Sequence, residues 1–92
     1  LAFTISNPYP NPFKNNVTFS VTMLQEDFVR IDIFNLTGRR MKTIYHGRLS
    51  IGKYDFKWDS KNKDGFKSSS GAYFIKVSND LSQEWKMITL VK

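Results

Sequence analysis

The sequence predicts an all-β fold, an antiparallel sandwich of about seven short strands. Three observations carry that prediction. Apolar and polar residues alternate over several short stretches, the period of a strand with one buried face. Turn-forming residues separate those stretches at intervals of about ten residues, as in a sandwich. No segment joins a helical apolar face to an N-cap. All three prolines fall between Pro8 and Pro12, which leaves the chain after Phe13 free to enter hydrogen-bonded sheets.

Taken in order, Phe3-Thr4-Ile5 reads as a short edge strand. Pro8, Pro10 and Pro12 then stand at every second position, and their fixed φ stiffens an extended segment. That segment reads equally as a rigid linker or as a receptor-facing epitope. Tyr9 and Phe13 flank the prolines and are placed to pin them against the sandwich. Four strands follow from strict alternation: Val17, Phe19, Val21 and Met23; Val29, Ile31 and Ile33; Tyr54, Phe56 and Trp58; Tyr73, Ile75 and Val77. Between Arg39 and Tyr45 the apolar members Met41, Ile44 and Tyr45 break alternation, which predicts a bulge. Trp85 to Val91 is apolar at both parities and predicts a strand with something over each face.

The turns are legible too. Leu36-Thr37-Gly38-Arg39 predicts a tight hairpin whose glycine takes positive φ. Ser50-Ile51-Gly52-Lys53 precedes the Tyr54 strand, Asp59 to Ser70 forms a polar loop, and Asn79-Asp80 marks the last hairpin. His46, beside Gly47, is expected in a turn.

At 92 residues the chain predicts one domain, residues 1–92, whose thin core is filled by eight Phe, four Tyr and two Trp. It has no cysteine, so packing alone must hold it. It begins at Leu1 without signal-peptide features, and no apolar run approaches the ~20 residues of a membrane-spanning helix. The expectation is a fragment of a larger secreted protein with no membrane insertion of its own. Fourteen Lys/Arg against eight Asp/Glu give a net charge of +6. Only Arg39-Arg40-x-Lys42 clusters tightly, so the cations read first as ordinary solvated faces, with an anionic partner as the alternative.

The candidate chemistry is sparse. Asp59-Ser60-Lys61-Asn62-Lys63-Asp64-Gly65 has lysines where an EF-type calcium loop needs oxygen ligands, so it reads as a braced loop with Asp59 accepting backbone N–H groups. The single histidine has no partner that argues for acid–base or metal work. Ser68-Ser69-Ser70 lacks the strand–turn–helix setting of an activated serine. The sequons at Asn16 and Asn35 arise easily by chance. Tyr9, Phe13, Phe66 and Trp85 are candidates for stacking on sugar, although Trp85 also reads as core. Nothing suggests a nucleic-acid partner. The expectation is therefore a protein that is not an enzyme and uses no cofactor or metal.

One resemblance spans nearly the whole chain. Asn7-Pro8-Tyr9-Pro10-Asn11-Pro12-Phe13, then Phe34-Asn35-Leu36-Thr37-Gly38, then Gly52 to Asp59, Ser70-Gly71-Ala72-Tyr73-Phe74 and finally Lys86 to Lys92 stand in a characteristic order and spacing. Together they resemble the type A C-terminal sorting domain of the type IX (Por) secretion system, and the related Ig-like domain of flagellar hook-capping proteins. The resemblance implies an Ig-like antiparallel β-sandwich. It implies a sorting signal that directs a cargo, the N-terminal part of the same chain, from the periplasm across the outer membrane of a Gram-negative bacterium. The partners so implied are the outer-membrane translocon and a sortase-like peptidase, and the destination is the cell surface or the medium. The recognition elements it suggests are Pro8, Pro10, Asn11 and Pro12, Gly71 and Tyr73, and Lys86, Met87, Ile88, Leu90 and Lys92. The alternatives are a hook-cap-like assembly module and an accessory carbohydrate-binding module of a surface enzyme.

Overall fold

Alternation becomes two sheets in the computed structural model, which describes residues 2–92. Seven strands are formed: β1 (Phe3–Ile5), β2 (Val17–Met23), β3 (Asp27–Asn35), β4 (Arg40–Leu49), β5 (Gly52–Trp58), β6 (Gly71–Ser78) and β7 (Gln83–Leu90). One sheet has the order β1-β2-β5 and the other β4-β3-β6-β7, with all pairings antiparallel. The alternating apolar residues meet between the sheets, where Phe3, Val17, Phe19, Val21, Ile31, Ile33, Trp58, Ile75, Val77 and Ile88 are fully buried. This is the Ig-like antiparallel β-sandwich.

Trp58, the last residue of β5, is fully buried in that core. Its ring centroid lies 5.9 Å from Phe13 and 5.2 Å from Tyr73, and its indole N–H donates to the Lys61 carbonyl at 2.9 Å. A buried indole thus keeps its polar atom satisfied. The Tyr73 hydroxyl donates to the Ser69 carbonyl at 2.6 Å, so both aromatics also brace the β5–β6 loop. Within that loop the Asp59 carboxylate accepts the Lys61 N–H, and the Asn62 side chain accepts the N–H groups of Asp64 and Phe66.

β4 carries two register shifts against β3, one skipping Ile44 and one skipping Met41. These are the bulges that the broken alternation predicted. Both extra residues pack against the core. The strand continues well past Tyr45, and His46 pairs with Arg30 and Gly47 with Val29. The expected turn at His46 is therefore a strand, and the chain reverses only at Ser50 and Ile51. The reason lies in Tyr45, which reaches over Gly47 and donates its hydroxyl to the Arg48 carbonyl at 3.0 Å. The glycine is needed for that close approach, because a Cβ there would meet the Tyr45 hydroxyl at 3.1 Å.

The β3–β4 hairpin turns on Asn35. Its side-chain oxygen accepts bonds from the Thr37 N–H, the Thr37 hydroxyl and the Arg39 N–H, while Gly38 adopts φ 88°. The left-handed conformation expected of this glycine is present.

Candidate functional site

The proline segment and the last strand are far apart in sequence and adjacent in the fold. The segment starts beside the three-stranded sheet, where Tyr9 and Thr18 exchange backbone hydrogen bonds of 2.9 Å. It ends beside the four-stranded sheet. There the Phe13 N–H donates to the Thr89 carbonyl at 2.9 Å, and the Val91 N–H donates to the Phe13 carbonyl at 2.8 Å. Between these anchors, the Asn11 amide donates to the Met87 carbonyl at 3.1 Å and its oxygen accepts the Thr89 N–H at 3.0 Å. The segment is thus a clasp that bridges the two sheets, and not the extended strand that alternating prolines suggested. Phe13 locks it, its ring buried against Trp58. Tyr9 joins the clasp through its backbone, and the residue is 60% exposed.

The clasp fixes which backbone groups of β7 face outward. Met87 C=O, both polar groups of Thr89 and the Val91 N–H all point away from β6. In an antiparallel ladder this alternates with period two, so the N–H and C=O of Trp85 and the N–H of Met87 face outward as well. Asn11 and Phe13 cover the end of the strand nearer Leu90. β1 comes close to β7 without pairing to it.

The suggested recognition residues divide by burial. Pro10, Asn11, Pro12, Gly71, Met87 and Lys92 are exposed and Lys86 is half-buried. Pro8, Tyr73, Ile88 and Leu90 are buried, so any contribution from them passes through the shape of the strands. Asn11 to Pro12, Gly71 and Met87 to Leu90 come together, because Gly71 pairs with Leu90 and the clasp lies on the far side of the same strand.

Trp85 lies outside the core on the outer sheet face, 45% exposed. It packs against Phe34 at 5.6 Å and Phe74 at 6.1 Å, with the Lys76 ammonium 5.2 Å from its ring. Sequence reasoning missed this cluster. Its signal was that Phe34, Phe74 and Trp85 all occupy the polar parity of their strands. Further along the same face, Asp32 is almost completely buried. It accepts from Arg30 Nε at 3.0 Å and the Thr43 hydroxyl at 2.7 Å, with Arg40 at 3.7 Å. Among the described residues no group of His, Cys, Asp and Glu is arranged to hold a metal ion.

Residues 12–83 match the family model of the FlgD Ig-like domain, more than half of the chain. The chain belongs to the FlgD Ig-like domain family. Solved structures share its fold at low identity. A domain in dimeric latent PorU from Porphyromonas gingivalis aligns with a TM-score of 0.73 at 22% identity, over 99% of this chain and 10% of PorU. PorZ, a bacterial surface component of the type IX secretion system of the same organism, aligns at 0.60 and 22%, over 98% of this chain and 11% of PorZ. FlgD from Xanthomonas campestris, whose structure bears on the hook capping essential for flagellar assembly, aligns at 0.64 and 18%, over 96% of this chain and 64% of that one. No curated protein sequence matches. This chain thus spans about a tenth of the length of PorU and of PorZ. The family match ends at Gln83 and begins at Pro12, so the rest of β7 and the first part of the clasp lie outside it.

Proposed function

We propose that this domain is a non-catalytic sorting signal, which directs a cargo on the same chain through the outer membrane by type IX secretion and to the cell surface. The observation that carries the reading is the clasp on β7. With the β6–β7 ladder it brings the Asn-Pro segment, Gly71 and the last strand together, and these are three of the five segments through which the sequence resembles sorting domains. The likeness to domains of PorU and PorZ supports it. In this reading the translocon and a sortase-like peptidase are the partners, and the surface offered to them combines Asn11, Pro12, Lys86, Met87 and Lys92. Because the clasp occupies half of the β7 edge, a partner strand has only the Trp85–Met87 stretch to pair with. Side chains therefore carry most of the recognition.

The test fuses residues 1–92 to a periplasm-directed fluorescent reporter in a bacterium with a type IX system. Deleting Lys86 to Lys92 would remove Ile88 and Leu90 from the core, so point variants are the sharper tool. Lys86→Glu is expected to retain the folded reporter in the periplasm while the parent reaches the surface. A folded parent fusion that stays in the periplasm would sink the sorting role.

A second reading has its own support. The family match and the FlgD structure favour an assembly module, in which the sandwich packs against neighbouring subunits. Export that ignores the translocon, together with concentration-dependent association, would favour it.

A further inference from the structure

Arg39, Arg40 and Lys42 form a tight cationic run in the sequence, and the fold adds a fourth cation to it. The Lys63 N–H donates to the Met41 carbonyl at 2.9 Å, which fastens the β5–β6 loop along the outer edge of β4. The bulge at Met41 then places Arg40 opposite Phe34 and Lys42 opposite Ile33. Ile33 points into the core and Phe34 away from it, so the two cations straddle the edge. Two adjoining depressions open there. The larger, about 370 Å³, is lined by Arg40, Met41, Lys42, Thr43 and Lys63. The smaller, about 90 Å³, shares Arg40, Met41 and Lys63 and adds Arg39, Asn62 and Asp64.

The charges at this edge are poorly compensated. Among the described residues, Arg39 and Lys63 have no carboxylate within 4.0 Å. Arg40 reaches Asp32 and Lys42 reaches Asp59, each at 3.7 Å, and Asp32 is already held more closely by Arg30 and Thr43. Asp64 is the one carboxylate lining the smaller depression. Cations that line two adjoining depressions repel one another, and a bound anion relieves that repulsion.

We propose that the β4 edge is a binding site for a phosphate group, with Arg39, Arg40, Lys42 and Lys63 as its ligands. A phosphate concentrates up to two negative charges and three acceptor oxygens on one small centre, which suits guanidinium forks beside ammonium groups. A lone carboxylate brings only what Asp59 and Asp64 already supply. The phosphate is placed where the two depressions meet, at the shared Arg40 and Lys63, so that Arg39 reaches it from the smaller one and Lys42 from the larger, which leaves room for the group that carries it. The site lies at the opposite edge of the sheet from β7 and does not depend on the sorting role.

The experiment titrates the isotopically labelled 92-residue chain at constant ionic strength with inorganic phosphate, a hexose phosphate or acetate, following backbone amides by NMR. Both phosphates are expected to shift Met41, Lys42 and Lys63, with acetate leaving them in place. The double substitution Arg39→Gln, Lys63→Gln touches only exposed side chains and is expected to weaken binding at least tenfold, with circular dichroism confirming the fold. Lys53→Gln, Lys57→Gln removes the same charge from exposed positions on β5 and is expected to leave affinity unchanged. Tighter binding of the hexose phosphate assigns the site to a phosphate ester, and equal binding assigns it to free phosphate. Equal shifts with acetate, or equal losses from the two double substitutions, would overturn the proposal.

Discussion

β7 and β4 are the outer strands of one sheet, and each leaves a row of backbone N–H and C=O groups with no neighbouring strand on that side. β7 is closed from a distance, by Asn11 and Phe13, whose partners lie more than seventy residues further along the chain. β4 is managed by its own irregularity. Two bulges bend it, cations crowd it, and a single backbone bond from Lys63 holds a loop against it. The difference teaches that an edge covered by an anchored segment depends on the core beneath the anchor. An edge protected by bulges and charge depends on its immediate neighbours.

The largest break in this comparison is expected from Phe13→Ala. It removes a fully buried ring that touches Trp58 and so detaches the clasp, at a cost of about 3–5 kcal/mol. Urea denaturation would show it, and a loss below 1 kcal/mol would mean that the clasp hangs on its backbone bonds alone. On the β4 side, Asp32→Ala strips Arg30 and Thr43 of their shared acceptor. Arg30 keeps access to water, so the expected loss is about 1–3 kcal/mol. If the loss matched that of Phe13→Ala, β4 would need more than local support. Asn11→Ala deletes two exposed hydrogen bonds and is expected to cost about 1 kcal/mol. The finest distinction is kinetic. Amide exchange should be slow at Thr89 and Val91, which bond to the clasp, and fast at Trp85 and Met87. Uniform protection along β7 would show that its open half is covered after all.

Much of this architecture was legible because alternation encodes which side of a strand is wet. Val17 to Met23, Val29 to Ile33 and Tyr73 to Val77 bury the residues that their period dictates. Gly38 and Asn79 were legible as turns for chemical reasons, and Asn79 accepts the N–H groups of Leu81 and Ser82 as such a turn requires. What alternation does not encode is the partner. A bulge exists only relative to a neighbouring strand, so the broken pattern at Met41 announced irregularity without showing that β4 runs on through His46. Likewise, Trp85 and Met87 made the last strand look apolar on both faces. Only packing against Phe34 and Phe74 shows that one of those faces is a surface cluster. The resemblance singled out Asn11, but its bonds carried no signal in sequence, because its two partners lie more than seventy residues away.

The clasp also gives the domain a built-in check that β7 is in place. During synthesis the carbonyl and N–H of Phe13 emerge early and have no mate until Thr89 and Val91 follow, so nearly the entire length must be present before the sandwich can shut. A chain cut short before Thr89 would keep most of its strands, yet it would leave a greasy seam beside Trp58 open to water and to proteases. Closure of this fold therefore reports that Thr89 and Val91 have arrived.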